Sequence, residues 1–155
     1  MEYLIRAALA DDVAVVSDIF CRSSLSNERD RASLLANPEA LVFEDASIHQ
    51  QRTRVAVADG RVVGFATTLA TAVEAMELED LFVDPDWMRR GVARSLILDV
   101  VELARARGTT RVDVTANPHA LAFYETAGFV IDGTVATQFG PGLRMHLEVA
   151  SPTET

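Results

Sequence analysis

One stretch, residues 78–96, limits the fold more than any other part of this 155-residue chain. An apolar run at 81–83 is stopped by Asp84-Pro85, and a short basic turn then leads through Gly91 into a long amphipathic helix. The first turn of a helix has amides without intrahelical partners, and the helix dipole makes that end positive. A glycine there lets a phosphate approach the backbone closely. The stretch therefore indicates a strand, an anion-binding turn and a helix.

Three arginines, Arg89, Arg90 and Arg94, concentrate positive charge around this turn in a chain whose net charge is -9. The amides, the helix dipole and the guanidinium groups together predict a pyrophosphate-binding loop. A plainer interpretation stays open for the stretch taken alone, in which the glycine only eases the turn and the arginines are solvated. The rest of the chain decides between the two.

Length and composition restrict the classes of protein to which this chain can belong. Residues 1–150 are long enough for a single domain with its own hydrophobic core, and we expect a disordered tail at 151–155. No apolar run is long enough to span a bilayer, and the N-terminus lacks the pattern of a secretory signal. The net charge of -9 argues against a nucleic-acid partner and suits a neutral or cationic one.

The cysteine and histidine content bears on the cellular compartment and on metal binding. The single cysteine, Cys21, cannot form an intramolecular disulfide, so a reducing cytoplasm fits best. The three histidines are scattered, and no spacing typical of a metal site occurs. The sequence therefore predicts a cytoplasmic protein that binds no metal and no membrane.

The first half of the chain predicts strands in antiparallel order next to helices. A strand at residues 3–8 precedes a helix that runs to about Ser23. Asp59-Gly60 between two β-branched runs is the strongest short-range signal of a hairpin, and a further strand follows from about Ala75 to Val83. The pattern is weak between residues 24 and 51, where it allows a second helix and short helical turns.

The second half adds a strand–helix–strand unit and two closing strands. The helix that begins after Gly91 ends at Gly108, and a strand at 111–116 follows, so the two flanking strands should be parallel. Another helix begins at Asn117-Pro118, and the closing strands, 129–137 and 143–149, flank a turn. The prediction is an α/β (α+β) fold with a mixed, mostly antiparallel central sheet of about seven strands, a central parallel pair and about four flanking helices.

Two motifs between Leu78 and Phe129 resemble the GNAT superfamily of acyl-CoA-dependent N-acetyltransferases. The first is the Arg-Arg-Gly-Val-Ala turn after the Pro-ended strand, and the second runs from Asn117 to Phe129 and reads NPHALAFYETAGF. In the family a Q/R-x-x-G-x-G/A loop precedes N-x-x-A-x-x-F-Y-x-x-x-G-F. Met88 departs from the Gln or Arg that the family prefers at the first loop position. Both motifs occur in the expected order, and the resemblance in element order covers nearly the whole chain.

The resemblance implies acetyl-CoA as co-substrate and a set of residues that bind it. The loop is similar to the family's pyrophosphate loop, the strand at 81–83 to the strand whose backbone pairs with the pantetheine arm, and Asn117 to an asparagine that contacts the pantetheine. The implied coenzyme-binding residues are Leu81, Phe82, Val83, Arg89, Arg90, Gly91, Val92, Ala93, Arg94, Asn117, Phe123 and Tyr124. From local sequence alone, a helix N-cap is the preferred explanation of Asn117 and a core aromatic that of Tyr124, and the resemblance reverses both preferences.

Catalytic roles also follow from the resemblance. Tyr124 is similar to the family tyrosine that lies near the CoA sulfur and acts as general acid. The general base stays open between Glu77 and Glu79, which share one strand face because the side-chain period of a strand is two. Some GNAT enzymes use a glutamate on this strand; a solvated strand face is the alternative, and Asp113 is a third candidate.

The implied function is direct transfer of an acetyl group from acetyl-CoA to a primary amine, and we expect a small amine as the acceptor. Two alternatives stay open. One is an acyl-CoA-binding regulatory domain without catalysis, for which Met88 is the direct support, and the other is a protein N-acetyltransferase. Homodimers are frequent in this superfamily, so the resemblance also admits a homodimer.

Overall fold

The computed structural model describes residues 3–150, which form five α-helices and seven β-strands. The helices are α1 (Val13–Leu25), α2 (Glu28–Ala36), α3 (Ala46–His49), α4 (Val92–Ala106) and α5 (Leu121–Thr126). The strands are β1 (Leu4–Ala7), β2 (Thr53–Ala58), β3 (Arg61–Ala72), β4 (Ala75–Val83), β5 (Arg111–Ala116), β6 (Val130–Thr137) and β7 (Gly140–Glu148).

The seven strands form one sheet in the order β1-β2-β3-β4-β5-β7-β6. The β4–β5 pair is parallel, whereas β1–β2, β2–β3, β5–β7 and β6–β7 are antiparallel. The predicted mixed sheet with a parallel pair is confirmed. The helices outnumber the expectation by one because the weakly patterned segment 24–51 contains both α2 and α3.

Within the described residues the chain divides into two compact units, one of residues 3–67 and 80–96 and the other of residues 68–79 and 97–150. The core of the first unit includes the buried side chains of Val16, Ile19, Val55 and Phe65. The prediction of a single domain over 1–150 stays a prediction, and the expected tail at 151–155 lies outside the described residues.

Burial alternates along the two parallel strands in the second unit. Met76 and Leu78 of β4 are buried, as are Val112 and Val114 of β5, while the polar residues between them are accessible. The register pairs Glu77 with Asp113. Because side chains alternate between the faces of a strand, these carboxylates share the accessible face.

Two hairpins show how local chemistry determines the turns. Asp59 and Gly60 have φ of 51° and 77°, the left-handed pair typical of a tight hairpin turn, so the predicted hairpin is confirmed. The closing hairpin was predicted with a longer turn, and this was wrong because β7 already begins at Gly140. A Cβ at Gly142 would lie 2.8 Å from Thr115 Cγ2, so this glycine serves close strand packing and not the turn.

Candidate functional site

The loop between β4 and α4 presents a run of unpaired backbone amides. Within residues 3–150, the amides of residues 88–94 donate to no protein acceptor, and the first bond of the helix runs from Ser95 N to Gly91 O at 3.0 Å. Arg89 and Gly91 have left-handed φ of 63° and 82°. A Cβ at Gly91 would meet no heavy atom within 4 Å, so the space before the backbone is open. This backbone has the form of an anion cradle.

Positive charge surrounds the same loop. Arg89, Arg90 and Arg94 are exposed, and none of them forms an ion pair with another described residue. The guanidinium of Arg90 lies 4.8 Å from the ring centroid of Trp87, while its carbonyl accepts a hydrogen bond of 2.7 Å from the Tyr3 hydroxyl. The cationic groups are therefore available to an anion at the loop.

The start of α4 lies close to the strands because Gly64 has no side chain. A Cβ at Gly64 would lie 2.8 Å from Val92 Cγ1 and 3.0 Å from Phe82 O, so only glycine permits this approach. The side chain of Val92 is buried and Ala93 is half-buried. These two residues consequently contribute their amides, and not their side chains, to the loop surface.

At the end of β4, backbone groups are available to a ligand more than side chains are. The register with β5 covers Ala75–Leu78, and no later residue of β4 pairs with β5 among the described residues. The Phe82 ring stacks on Phe20 and Phe65 with centroid distances of 5.0 and 5.5 Å, and Val83 is buried. Leu81 is half-buried. A ligand that binds here in extended form would therefore pair with backbone groups.

Tyr124 combines a buried ring with an accessible hydroxyl. The residue is 8% exposed, and its ring packs edge-on against Phe123 and Phe129. Its hydroxyl has no hydrogen-bond partner among the described residues. Every fully buried side-chain polar atom of those residues does have a partner, so the Tyr124 hydroxyl retains contact with solvent. Burial raises the pKa of Tyr124 to about 12. The phenol is therefore protonated at neutral pH and free to donate.

Asn117 occupies the N-cap position of a short 3-10 turn, Pro118–Ala120, which precedes α5. Its carbonyl accepts a hydrogen bond of 2.9 Å from the Ala120 amide, but its side chain forms no capping bond. Capping thus does not occupy the carboxamide, which is exposed. The side chain is consequently available to a ligand.

The three candidate bases differ in their surroundings. Glu77 accepts two hydrogen bonds from Arg144, at 2.7 and 3.1 Å, and these raise the pKa of Arg144. Asp113 accepts one of 2.8 Å from Arg111. Glu79 is exposed. Sequence reasoning did not identify the pairing of Arg144 with Glu77. The β5–β7 register, which places Arg144 opposite Thr115, explains the position of this arginine.

Residues 3–150 contain no group of three or more histidine, cysteine, aspartate or glutamate side chains that could hold a metal ion. No helix among them is long and apolar enough to cross a membrane.

Comparison with known proteins identifies the family to which this chain belongs. The model of the acetyltransferase (GNAT) family matches residues 18–129, a range that includes both motifs, and the chain therefore belongs to this family. It is 28% identical over 115 residues to glucosamine 6-phosphate N-acetyltransferase of Trypanosoma brucei brucei, over 74% of this chain and 59% of that protein. It is 36% identical over 92 residues to the [ribosomal protein bS18]-alanine N-acetyltransferase of Salmonella typhimurium, over 57% of this chain and 61% of that protein. The matches thus span about three fifths of the length of these relatives.

Solved structures share the fold. PaiA N-acetyltransferase from Thermoplasma acidophilum, crystallised in complex with coenzyme A, superposes with a TM-score of 0.77 at 18% identity and covers 96% of this chain and 99% of that one. The ribosomal-protein-S18-alanine N-acetyltransferase from Escherichia coli gives 0.73 at 20% identity, with 99% and 98% covered. At such identities the likeness shows the fold alone.

Proposed function

We propose that this protein transfers an acetyl group from acetyl-CoA to a small primary amine by direct attack. The observation that carries the proposal is the run of unpaired amides at residues 88–94, which fits the two phosphates of CoA. Membership in the GNAT family supports the same donor. The net charge of -9 favours an acceptor that arrives as a cation. A cytoplasmic setting and a homodimer stay predictions, and light scattering decides the second.

The reaction exchanges one bond for another. The neutral amine nitrogen attacks the acetyl carbonyl carbon, the C–N bond forms, and the C–S bond breaks to release the CoA thiolate. The chain must therefore accept the proton of the ammonium acceptor and stabilise the departing sulfur, while the nitrogen of the tetrahedral intermediate releases a second proton to solvent. A backbone amide near Phe82 or Val83 is the group that we assign to the oxyanion.

We assign Tyr124 to the departing sulfur. Since burial raises the pKa of Tyr124 to about 12, the hydroxyl keeps its proton throughout the pH range of the reaction. An ordinary thiol has a pKa of about 8.5, so complete proton transfer from Tyr124 to the thiolate would be uphill by roughly 3–4 pKa units. The role that these values support is a hydrogen bond that strengthens as negative charge builds on sulfur, with solvent restoring the thiol.

We assign the general base to Glu79, with Glu77 as the second candidate. The Arg144 guanidinium occupies both carboxylate oxygens of Glu77, and Arg111 bonds Asp113. Glu77 and Asp113 are also partly buried, so an amine reaches their carboxylates less easily. Glu79 is exposed and so more accessible to an amine.

A turnover assay on the full chain tests this function. Acetyl-CoA is incubated with small amines, amino sugars and peptides with free α-amino groups, and thiol release is followed together with the product mass. Turnover on small amines supports the proposal, and turnover on peptides alone would indicate a protein N-acetyltransferase. Saturable acetyl-CoA binding without any turnover would indicate the regulatory alternative, and no saturable binding would contradict the donor assignment.

A further inference from the structure

The residue that ends the loop-bearing strand is a buried aspartate held by a distant arginine. The Asp84 side chain is 2% exposed and accepts hydrogen bonds of 3.0 and 2.9 Å from the two terminal nitrogens of Arg22. Arg22 lies in the last turn of α1 and also bonds Asp18 at 2.8 Å. The hydrogen bonds from Arg22 hold the pKa of Asp84 below its usual range, with Arg61 adding attraction at longer distance. This bidentate pair joins α1 to the end of β4.

The same aspartate shapes the beginning of the loop. Its carboxylate accepts a hydrogen bond of 2.9 Å from the Asp86 amide, and its carbonyl accepts one of 2.8 Å from the Trp87 amide. Its own amide donates to Val63 O at 2.8 Å. The guanidinium of Arg90 in turn lies over the ring of Trp87. A continuous series of contacts thus runs from α1 through Asp84 into the cradle.

We propose that Arg22 and Asp84 are positioning residues for the diphosphate cradle, which means that this inference rests on the proposed function. Exposed amides bind an anion well only when their directions are fixed beforehand. The carboxylate of Asp84 fixes the first turn of the loop, and its negative charge would repel a diphosphate if it were not neutralised. Arg22 supplies that neutralisation and sets the carboxylate plane through its two parallel bonds.

A matched ion pair in the same unit separates positioning from general stability. Arg6 donates to Asp12 through two hydrogen bonds of 2.7 and 3.1 Å, and Asp12 is likewise buried. This pair organises the turn before α1 and not the loop. Replacing one member of either pair by an uncharged residue should lower the melting temperature. Only replacements in the Arg22–Asp84 pair should affect coenzyme binding.

The experiment is a calorimetric titration of the full chain with CoA, combined with acetyl-CoA kinetics on the best acceptor. We expect Arg22→Met and Asp84→Asn to weaken CoA binding roughly tenfold or more and to raise KM for acetyl-CoA while kcat at saturation is largely kept. Arg22→Lys keeps the charge but not the paired geometry, so it should weaken binding by a smaller factor. Arg6→Met and Asp12→Asn should bind CoA as the wild type does.

Each outcome decides one question. Wild-type CoA affinity in Asp84→Asn, with a melting temperature lowered as in Asp12→Asn, would overturn the positioning role, as would equal losses of affinity in both pairs. If Asp84→Asn does not fold, Arg22→Lys decides, because unchanged KM for acetyl-CoA in that variant also overturns the role. Absence of saturable CoA binding in the wild type would instead refute the proposed function.

Discussion

Replacing Gly91 by alanine tests whether the loop backbone itself binds the diphosphate. Gly91 has φ of 82°, and an added Cβ would meet no heavy atom within 4 Å. The substitution therefore creates no clash inside the protein. It introduces only the unfavourable energy of alanine in the left-handed region, about 1–2 kcal/mol.

The position of Gly91 in an exposed loop determines where this energy appears. In the free variant, residue 91 can rotate to negative φ and relieve the strain. Coenzyme binding must then restore the left-handed conformation, so about 1–2 kcal/mol is subtracted from the binding free energy. Because 1.4 kcal/mol corresponds to a factor of ten, CoA affinity should fall roughly 5–30-fold. The methyl group also enters the open space that we assign to phosphate, which adds to the loss.

Gly60→Ala is the matched control for this substitution. Gly60 has φ of 77° and equally open surroundings, but it lies in the β2–β3 turn, where the strands keep the turn conformation. Its strain should lower the melting temperature by roughly 2–4 °C per kcal/mol and leave CoA affinity unchanged. Calorimetric titration with CoA and a thermal melt of each variant provide the comparison. Wild-type CoA affinity in Gly91→Ala, or an equal loss in Gly60→Ala, would refute the reasoning.

Three further predictions concern individual side chains. Tyr124→Phe should lower kcat more than it lowers CoA affinity. Because burial raises the pKa of Tyr124 to about 12, the wild-type pH–rate profile should show no basic limb from this residue below about pH 11. Glu79→Gln should remove the acidic limb of that profile and Glu77→Gln should keep it; the opposite result would make Glu77 the base. The hydrogen bonds from Arg6 lower the pKa of Asp12, so the stability that Asp12 contributes is complete above the unfolded value of about 3.9 and is lost as pH falls through the lower folded value. Acid unfolding followed by circular dichroism should show this loss in the wild type, and Asp12→Asn should lack that part of the pH dependence.

The sequence was sufficient to predict the backbone conformation where a few neighbouring residues determine it. Asp59-Gly60 predicted a hairpin because both residues adopt positive φ readily, and the structure has them at 51° and 77°. The strand Ala75–Val83 was predicted with its observed bounds, since Asp84-Pro85 ends it and the apolar pattern defines it. The crossover helix between two strands then required the parallel β4–β5 pair.

Contacts between distant parts of the chain could not be predicted in the same way. Arg22 meets Asp84 across 62 positions, and Arg144 meets Glu77 across 67, so no local spacing identifies either pair. Which arginine reaches which carboxylate depends on strand register and helix position. The closing turn was misplaced for a related reason, because the role of Gly142 follows from the Thr115 methyl on another strand.

The most direct test of the central claim is an NMR titration of the 15N-labelled protein with CoA and, separately, with pantetheine, which lacks the diphosphate. If the unpaired amides of residues 88–94 grip the diphosphate, the signals of these amides should shift downfield and saturate with CoA, while pantetheine leaves them unchanged. Unmoved signals in the presence of saturating CoA, or equal shifts with pantetheine, would contradict the account.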